Sequence, residues 1–290
     1  MQVSFSAASP LSGKLVSTGS DTLGSLTALW AEALMRDYPG VTVQVRAIGS
    51  GAAPTALIEG TADIGPMSRP MSEAEEHSFA RRYGYAPTAV PVALDAIAVF
   101  VHRDNPLELL TVRQLDAVFS ATRRCGGPAA LGFWGELGLG GRWSRRFISV
   151  YGRSAASGTY SFFRREVLCR GDFSNGVNRL VGSSAVVRAV GDDPEGIGYA
   201  SAGYVNSNVR RLRVVEEDRV TPVSLSRRLY LYVNAPPARN LDPVVSAFLS
   251  MALGDEGQRE VLRSGYLALP EPERALLRSK LLLPVKARQP

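Results

Sequence analysis

Residues 14–34 read KLVSTGSDTLGSLTALWAEAL, and a change of hydrophobic period within this stretch decides the fold. Residues 14–17 form a short strand candidate, and the small polar residues 19–22 follow it as a turn. From Leu23 onward, apolar side chains recur every three or four positions, which is the period of an amphipathic helix. The stretch therefore predicts a strand, a tight turn and a helix in immediate succession.

The same alternation continues along the chain. Further strand candidates are residues 41–48, 62–65, 89–101, 147–151, 196–200 and 229–233. Helix candidates begin at Gly49-Ser50-Gly51, at Ser157-Gly158-Thr159 and near residues 72, 112, 184, 241, 256 and 273. Short strands separated by helices of this length indicate parallel β-α-β units, so the predicted fold class is α/β.

Length and composition agree with a globular protein. The 290 residues suggest two compact units or one large one, at about 150 residues per domain. Hydrophobic residues make up 45% of the chain and charged residues 21%, which is enough apolar material for a sizeable core. No apolar run approaches the roughly 18 residues that a membrane-spanning helix needs.

The basic residues do not indicate a nucleic-acid partner. The net charge is +6, but arginines occur as scattered pairs, such as Arg81-Arg82 and Arg210-Arg211, rather than as one block. No zinc-finger, ribonucleoprotein or basic-zipper pattern accompanies the charge. We therefore expect no nucleic-acid binding.

Cys125 and Cys169 are the two cysteines of the chain, and they lack the spacing of a metal or redox site. Their loop-like surroundings fit one disulfide in an oxidising compartment, and two free thiols are also compatible with the sequence. Residues 1–10 contain neither a basic segment nor an apolar core. If the protein is exported, we expect its signal peptide to have been removed from this sequence.

Three of the predicted turns share one chemistry. Residues 19–23, residues 49–51 and residues 157–159 place Ser, Thr and Gly where a strand gives way to a helix. The first turn of a helix has backbone N–H groups without partners and a partial positive charge, so it favours anions. Each turn alone is also explained as an N-cap, but three together favour an anion site, to which Arg153 would add a guanidinium.

Catalytic motifs are absent from the sequence. It contains no phosphate-binding G-x-x-x-x-G-K-[ST] loop, no G-x-G-x-x-G and no G-x-S-x-G around Ser50. The histidines, His77 and His102, lie in a charged helix and in a polar turn, which are typical surface positions. No cluster has the ligand spacing of a metal site, so we expect neither a metal nor a catalytic triad.

An ordered set of segments resembles the substrate-binding proteins of phosphate-specific ABC importers. The segments are GSDTL (19–23), AIGSG (47–51), DIGPMSRP (63–70), LDAIAV (94–99), R-x-x-x-S-G-T (153–159), GIGY (196–199) and LYLYVN (229–234). The resemblance implies a type II periplasmic-binding fold, with two α/β lobes joined by two crossover strands around a ligand cleft. By position, lobe I would comprise residues 1–99 plus 230–290, and lobe II residues 100–229.

The resemblance also implies the ligand-binding residues. Carried over by position, the phosphate ligands are Thr22, Leu23 through its backbone N–H, Ser50, Ser68, Arg153, Ser157, Gly158 and Thr159. Well-known members have a carboxylate at the position of Ser68, where it accepts the proton of hydrogen phosphate, and a second acidic residue at the position of Ala155. Because both are absent here, Asp95 and Asp21 are the candidate proton acceptors.

Function and location follow from the same resemblance. It implies a non-catalytic, cofactor-free periplasmic receptor, free or lipid-anchored, which binds inorganic phosphate and delivers it to the transmembrane permease of an ABC importer. We expect a monomer that closes by a hinge motion. The alternatives are a receptor for another tetrahedral oxyanion such as sulfate, and an exported phosphohydrolase that uses Ser50 or Ser157 as nucleophile.

Overall fold

A computed structural model describes residues 11–218, 221–237 and 239–283. The segment 1–10, considered above for a signal peptide, lies outside these residues. The strands are β1 (Ser12–Gly19), β2 (Gly40–Ala47), β3 (Ile64–Met67), β4 (Thr88–His102), β5 (Leu109–Thr111), β6 (Ser149–Arg153), β7 (Asn178–Leu180), β8 (Gly196–Ser201), β9 (Val209–Arg211), β10 (Arg213–Val215) and β11 (Ser226–Val233). The helices are α1 (Gly24–Asp37), α2 (Ala52–Ile58), α3 (Glu73–Tyr83), α4 (Val112–Phe119), α5 (Gly158–Glu166), α6 (Ser183–Asp192), α7 (Pro243–Leu253), α8 (Asp255–Arg263) and α9 (Glu271–Lys280).

The main sheet runs in the order β2-β1-β3-β11-β4-β8-β6-β7. Its outer pairs, β1 with β2 and β6 with β7, are parallel, whereas β11 is antiparallel to both β3 and β4. The long strand β4 pairs with β11 as far as Ala96 and with β8 from Ile97 onward. The chain therefore forms two α/β lobes. β4 leads from the first lobe into the second, and β11 leads back into the first.

Each lobe has its own hydrophobic core. In the first lobe Trp30 of α1 packs edge-on against Phe248 of α7, and its indole N–H donates to the carbonyl of Gly257 at 3.0 Å. In the second lobe the rings of Phe163 and Tyr199 stack with their centroids 3.8 Å apart. Since both cores lie against the same sheet, they hold the strand ends of the two lobes toward one cleft.

Cys125 and Cys169 form a disulfide. It joins the loop that follows α4 to the turn that follows α5, across 44 positions of sequence. The carboxylate of Asp116 supports the same loop, because its Oδ2 accepts the backbone N–H of Cys125 at 2.8 Å. Of the two states compatible with the sequence, the structure has the disulfide rather than the free thiols.

Across the three described ranges, no helix has the length and apolar character needed to cross a membrane.

Candidate anion-binding site

The three turns singled out in the sequence meet in the cleft between the lobes. The hydroxyl of Thr22, before α1, lies 3.1 Å from the hydroxyl of Thr159 in the first turn of α5. The backbone N–H of Gly51, before α2, donates to the carbonyl of Ala156 at 3.1 Å. Because these contacts join turns of different lobes, the cleft is closed in this structure.

Local hydrogen bonds fix the shape of the turns before α1 and α5. The hydroxyl of Ser157 is the N-cap of α5 and accepts the N–H of Thr159 at 3.1 Å. Before α1, the hydroxyl of Ser20 accepts the N–H of Leu23 at 3.3 Å. The carbonyl of Thr22 accepts the hydroxyl of Tyr266 at 2.6 Å, which anchors the turn to the first lobe.

Arg153 is the last residue of β6, and it is completely buried. Its NH1 donates to the hydroxyl of Ser183 at 2.6 Å and to that of Thr159 at 3.4 Å, and its NH2 donates to the carboxylate of Asp21. Its Nε has no acceptor among the residues that the structure describes. A buried guanidinium with an unused donor is suited to bind an anion oxygen.

Asp21 connects the lobes electrostatically. It belongs to the first lobe, but its Oδ2 accepts Arg153 NH2 and the backbone N–H of Gly182, at 3.2 Å, both of which belong to the second. Its Oδ1 is buried and has no partner within the described part of the chain. Asp21 thus lies beside the Arg153 guanidinium. The resemblance puts an acidic residue in this place at position 155, where this chain has alanine.

Ser50 and Ser68 form the opposite wall. The hydroxyl of Ser50 accepts the backbone N–H of Ser68 at 3.0 Å, and the two hydroxyl oxygens lie 3.1 Å apart. A Cβ at Gly158 would lie 2.3 Å from the hydroxyl oxygen of Ser68 and 2.7 Å from that of Ser50. The first turn of α5 therefore approaches these serines so closely that any larger residue at position 158 would force their hydroxyls to move.

The cluster thus contains the positions that the resemblance assigned to the ligand. The members joined by these contacts are Thr22, Leu23, Ser50, Ser68, Arg153, Ser157, Gly158 and Thr159. Asp21, one of the two candidate proton acceptors, is part of the same cluster.

Asp95, the other candidate, lies in β4 next to the point where this strand changes its partner, and the strand register sets it opposite Arg227. Arg227 donates to its Oδ2 through Nε at 3.1 Å and NH2 at 2.9 Å, and the hydroxyl of Ser201 donates to Oδ1 at 2.6 Å. Arg227 NH2 also donates to the hydroxyl of Thr159 at 2.7 Å, so this ion pair reaches the site. Burial lowers the pKa of the Arg227 guanidinium, and the negative charge of Asp95 partly offsets this lowering.

Sequence reasoning missed Arg227 and Ser183 as members of the cluster. A signal for Arg227 exists in the alternation of β11, in which Arg227, Leu229 and Leu231 are buried while Arg228 is exposed. An arginine in register with buried leucines needs a buried acceptor. No comparable signal marks Ser183, because a serine at the start of a helix is ordinary.

A cavity of about 290 Å³ lies beside this cluster. Its lining residues include Ser68 and Arg227, and Phe162 packs against the Arg227 guanidinium with 5.6 Å between the guanidinium carbon and the ring centroid.

Comparison with known proteins places the chain in a family. Residues 5–256 match the model of the PBP superfamily domain. The phosphate-binding protein PstS of Pseudomonas aeruginosa is 46% identical over 278 residues, which are 92% of this chain and 86% of that protein. This chain belongs to the PstS family of the PBP superfamily. A phosphate-binding protein PstS of Staphylococcus aureus is 26% identical over 278 residues, covering 91% of this chain and 80% of its own.

Solved structures agree with the fold. One from Clostridium perfringens, described as a phosphate ABC transporter substrate-binding protein with bound phosphate, has a TM-score of 0.74 at 25% identity and covers 89% of this chain and 100% of its own. An ABC-type phosphate transport receptor from Vibrio cholerae has a TM-score of 0.67 at 22% identity and covers 88% of this chain and 100% of its own. The predicted type II periplasmic-binding fold is confirmed.

Proposed function

We propose that this chain is a high-affinity receptor for inorganic phosphate, which it delivers to the permease of an ABC importer. The observation that carries the proposal is the convergence of a fully buried Arg153 with the hydroxyls of Thr22, Ser50 and Thr159 between two lobes. Relatives named as phosphate-binding proteins support the same ligand.

The strand pairing supports a division into lobe I, residues 1–99 plus 230–290, and lobe II, residues 100–229. β4 changes its partner from β11 to β8 between Ala96 and Ile97, close to the first boundary. On the return, Leu225 packs in the core of lobe II and Leu231 in that of lobe I. The hinge of the closing motion would therefore lie in β4 and β11.

The hydrogen-bond donors of the site are suited to a tetrahedral anion that has lost its hydration shell. A dianion that leaves water loses a large hydration energy, which hydroxyls, helix N–H groups and a guanidinium replace with bonds worth roughly 1.5–3 kcal/mol each. Micromolar binding needs about 8 kcal/mol, so six to ten such contacts suffice after the costs of closure. Closure also excludes the water that would weaken these bonds.

Asp21 is the proton acceptor in this proposal. Its unpartnered Oδ1 is a buried carboxylate oxygen beside the anion-binding arginine, whereas both oxygens of Asp95 already accept hydrogen bonds. A carboxylate there accepts the proton of hydrogen phosphate and repels sulfate, which has no proton to donate. Selectivity for phosphate would follow from this single oxygen.

The family also supports the cellular setting. We infer a periplasmic protein, free or lipid-anchored, that works as a monomer without a cofactor and has the importer's permease and phosphate, but no nucleic acid, as partners. In this role the two lobes together present the closed form to the permease.

A receptor without catalysis fits the site better than a phosphohydrolase. Neither Ser50 nor Ser157 contacts a histidine in the described ranges, and the Nδ1 of His102 accepts the N–H of Asp104 in its own turn. A serine nucleophile needs an adjacent base. Incubation with an aryl phosphate should release no phenol, and turnover that disappears in Ser50→Ala would instead establish the hydrolase.

Calorimetric titration tests the ligand. Ligand-stripped protein is titrated with phosphate and then with sulfate, on either side of the second ionisation of phosphate. Tight phosphate binding without sulfate heat is expected. Equal binding of both would make the protein a general oxyanion receptor, and no heat from either would refute the proposal.

An arginine variant locates the binding site. Arg153→Ala with Asp21→Asn removes the guanidinium without leaving a charged carboxylate unpaired, and we expect phosphate affinity to fall at least about 100-fold. Arg188→Ala, which removes an exposed arginine of α6, serves as the control. Unchanged affinity in the double variant would contradict the proposed site.

A further inference from the structure

The Thr159 hydroxyl lies between two buried ion pairs, and only one of them contains an arginine implied by the resemblance. Arg153 pairs with Asp21, and Arg227 pairs with Asp95. Both arginines donate to the Thr159 oxygen, Arg227 at 2.7 Å and Arg153 at 3.4 Å. Two guanidinium groups therefore meet at one residue of the anion site.

The hydrogen bonds of Arg227 leave one of its three nitrogens without an acceptor. Nε and NH2 donate to Asp95, and NH2 also donates to Thr159. NH1 is buried and has no acceptor anywhere in residues 11–218, 221–237 and 239–283, although only 7% of the residue is exposed. A buried donor without an acceptor is costly, so a bound molecule is expected to supply one.

Arg153 provides an internal comparison. It is also buried, also paired with an aspartate, and also left with one nitrogen that has no acceptor in the described structure. Arg227 additionally lines the cavity that opens from the Ser68 wall. Arg153, which the resemblance assigns to phosphate, and Arg227, which it does not, are thus both buried and both paired with an aspartate. Each also has one nitrogen without an acceptor in the described structure.

We propose that Arg227 is a second guanidinium ligand of the bound oxyanion and donates to one of its oxygens through NH1. This inference rests on the proposed function, because it adds a ligand to the same site. Two guanidinium groups, each held by its own carboxylate, suit a doubly charged tetrahedral oxyanion.

Arg227→Lys is the first test variant. Lysine keeps the positive charge next to Asp95, but its compact ammonium lacks the planar fork whose separate nitrogens reach the carboxylate and the anion from fixed positions. Calorimetry should give phosphate binding weaker by about tenfold. The matched control is Arg228→Lys, the adjacent exposed arginine, which pairs with Glu273 and should change affinity less than about threefold.

A second variant removes the whole ion pair. Arg227→Gln with Asp95→Asn leaves a neutral hydrogen-bonding pair, and circular dichroism and thermal unfolding report whether it is folded. We expect phosphate binding weaker by about 10- to 100-fold. If this double variant is unfolded, the phosphate affinity of Arg227→Lys tests the proposal instead. Wild-type affinity in either folded variant would overturn the proposal.

A structure with bound phosphate provides the direct readout. NH1 of Arg227 should lie within about 3.2 Å of a phosphate oxygen. An NH1 that is bound to protein or water instead would overturn the inference while leaving the receptor function intact. If wild-type protein gave no phosphate heat at all, the proposed function itself would fail, so the two failures are distinguishable.

Discussion

Asp21 combines two tasks at the scale of a single residue. One carboxylate oxygen holds Arg153 and Gly182 across the cleft, and the other is buried without a partner in the described chain. The oxygen that holds the guanidinium stabilises the closed form, and in our proposal the other one selects the ligand. In many proteins these tasks fall to separate side chains, and here a residue of the first turn is close enough for both.

Asp21→Asn should therefore reduce selectivity more than it reduces binding. The amide keeps the shape of the side chain but has one oxygen and an N–H donor, which can bond to an oxygen that carries no proton. We expect the preference for phosphate over sulfate, measured by competition calorimetry, to fall by about tenfold or more.

Asp95→Asn provides the comparison for this prediction. It removes the charge of the second candidate, whose oxygens already accept Arg227 and Ser201. We expect the phosphate-to-sulfate preference to change less than in Asp21→Asn. The reverse order would assign the acceptor to Asp95.

Residue type and local position predicted much of the site, and the remaining members depend on tertiary structure. Ser50, Ser157 and Thr159 could be found because three strand-to-helix turns with small hydroxyl residues together favour an anion site, although each turn alone is explained as an N-cap. The alternation of β11 marks Arg227 as buried, but its partner depends on the register of β11 against β4, which places it opposite a residue 132 positions earlier. A long side chain is informative only once its neighbours are known.

At the scale of elements, the start of α5 is the tightest point of the cleft. Gly158→Ala would place a methyl group 2.3 Å from the Ser68 hydroxyl oxygen. Because alanine favours a helix, the isolated lobe should keep its stability, whereas closure should cost about 1–3 kcal/mol and phosphate affinity should fall accordingly. Calorimetry and ligand-free thermal unfolding measure the two effects.

Gly132→Ala is the control for this variant, because a Cβ there meets no atom within 4 Å. We expect it to leave both affinity and stability unchanged. A Gly158→Ala protein that binds phosphate as tightly as the wild type would show that the bound cleft is wider than the structure indicates.

The start of α3 has a pH-dependent element. Ser72 and Glu75 form a capping box, and Arg69 donates to both oxygens of Glu75 at 2.7 Å. Burial raises the pKa of Glu75, but Arg69 and the Ser72 N–H lower it by more, so the net shift is downward. A carboxylate with a lowered folded-state pKa stabilises the fold above its unfolded pKa, and this contribution is lost as pH falls through the folded-state value.

We therefore expect Glu75→Gln to lower the free energy of unfolding by about 1 kcal/mol at neutral pH and to lose this difference in acid. Urea denaturation across a series of pH values measures the slope. Glu76→Gln, at the adjacent exposed position, should retain the slope of the wild type. Parallel curves for Glu75→Gln and wild type would contradict the assignment.

Long elements were predictable, and short ones were not. The period of α1 and the apolar run of β4 predicted both elements, although β4 extends one residue further at each end. The third strand begins at Ile64 rather than at residue 62, and Asp63 before it bonds to the backbone of Val16 through both its N–H and its side chain. Strands β5, β7, β9 and β10 have three residues each and depend on their partners: β7 and β9 pair with the longer strands β6 and β4, and β5 and β10 pair with each other.

At the scale of the whole molecule, the disulfide stabilises the lobe that supplies Arg153. Closing a loop of 44 positions restricts the unfolded chain by about 4 kcal/mol in the chain-entropy description. Cys125→Ser with Cys169→Ser should lower the free energy of unfolding by about that amount, and phosphate affinity should change less than about twofold, because the disulfide contacts none of the ligand positions.

Urea denaturation with and without a reductant measures this effect. The double variant should be insensitive to the reductant, which makes it the control for indirect effects of the reagent. A wild-type protein whose unfolding midpoint does not move on reduction would contradict the prediction.

The Asp21–Arg153 pair also makes the balance between open and closed receptor depend on temperature. Opening the cleft returns two ionised side chains from a dry contact to water. Hydration of charged groups carries a negative entropy, so its free energy becomes less favourable on warming. The ligand-free receptor should therefore be more open in the cold and more compact when warm, and the radius of gyration from solution scattering should decrease with temperature below unfolding. At higher temperature the importer would thus meet a ligand-free receptor whose cleft is already partly closed.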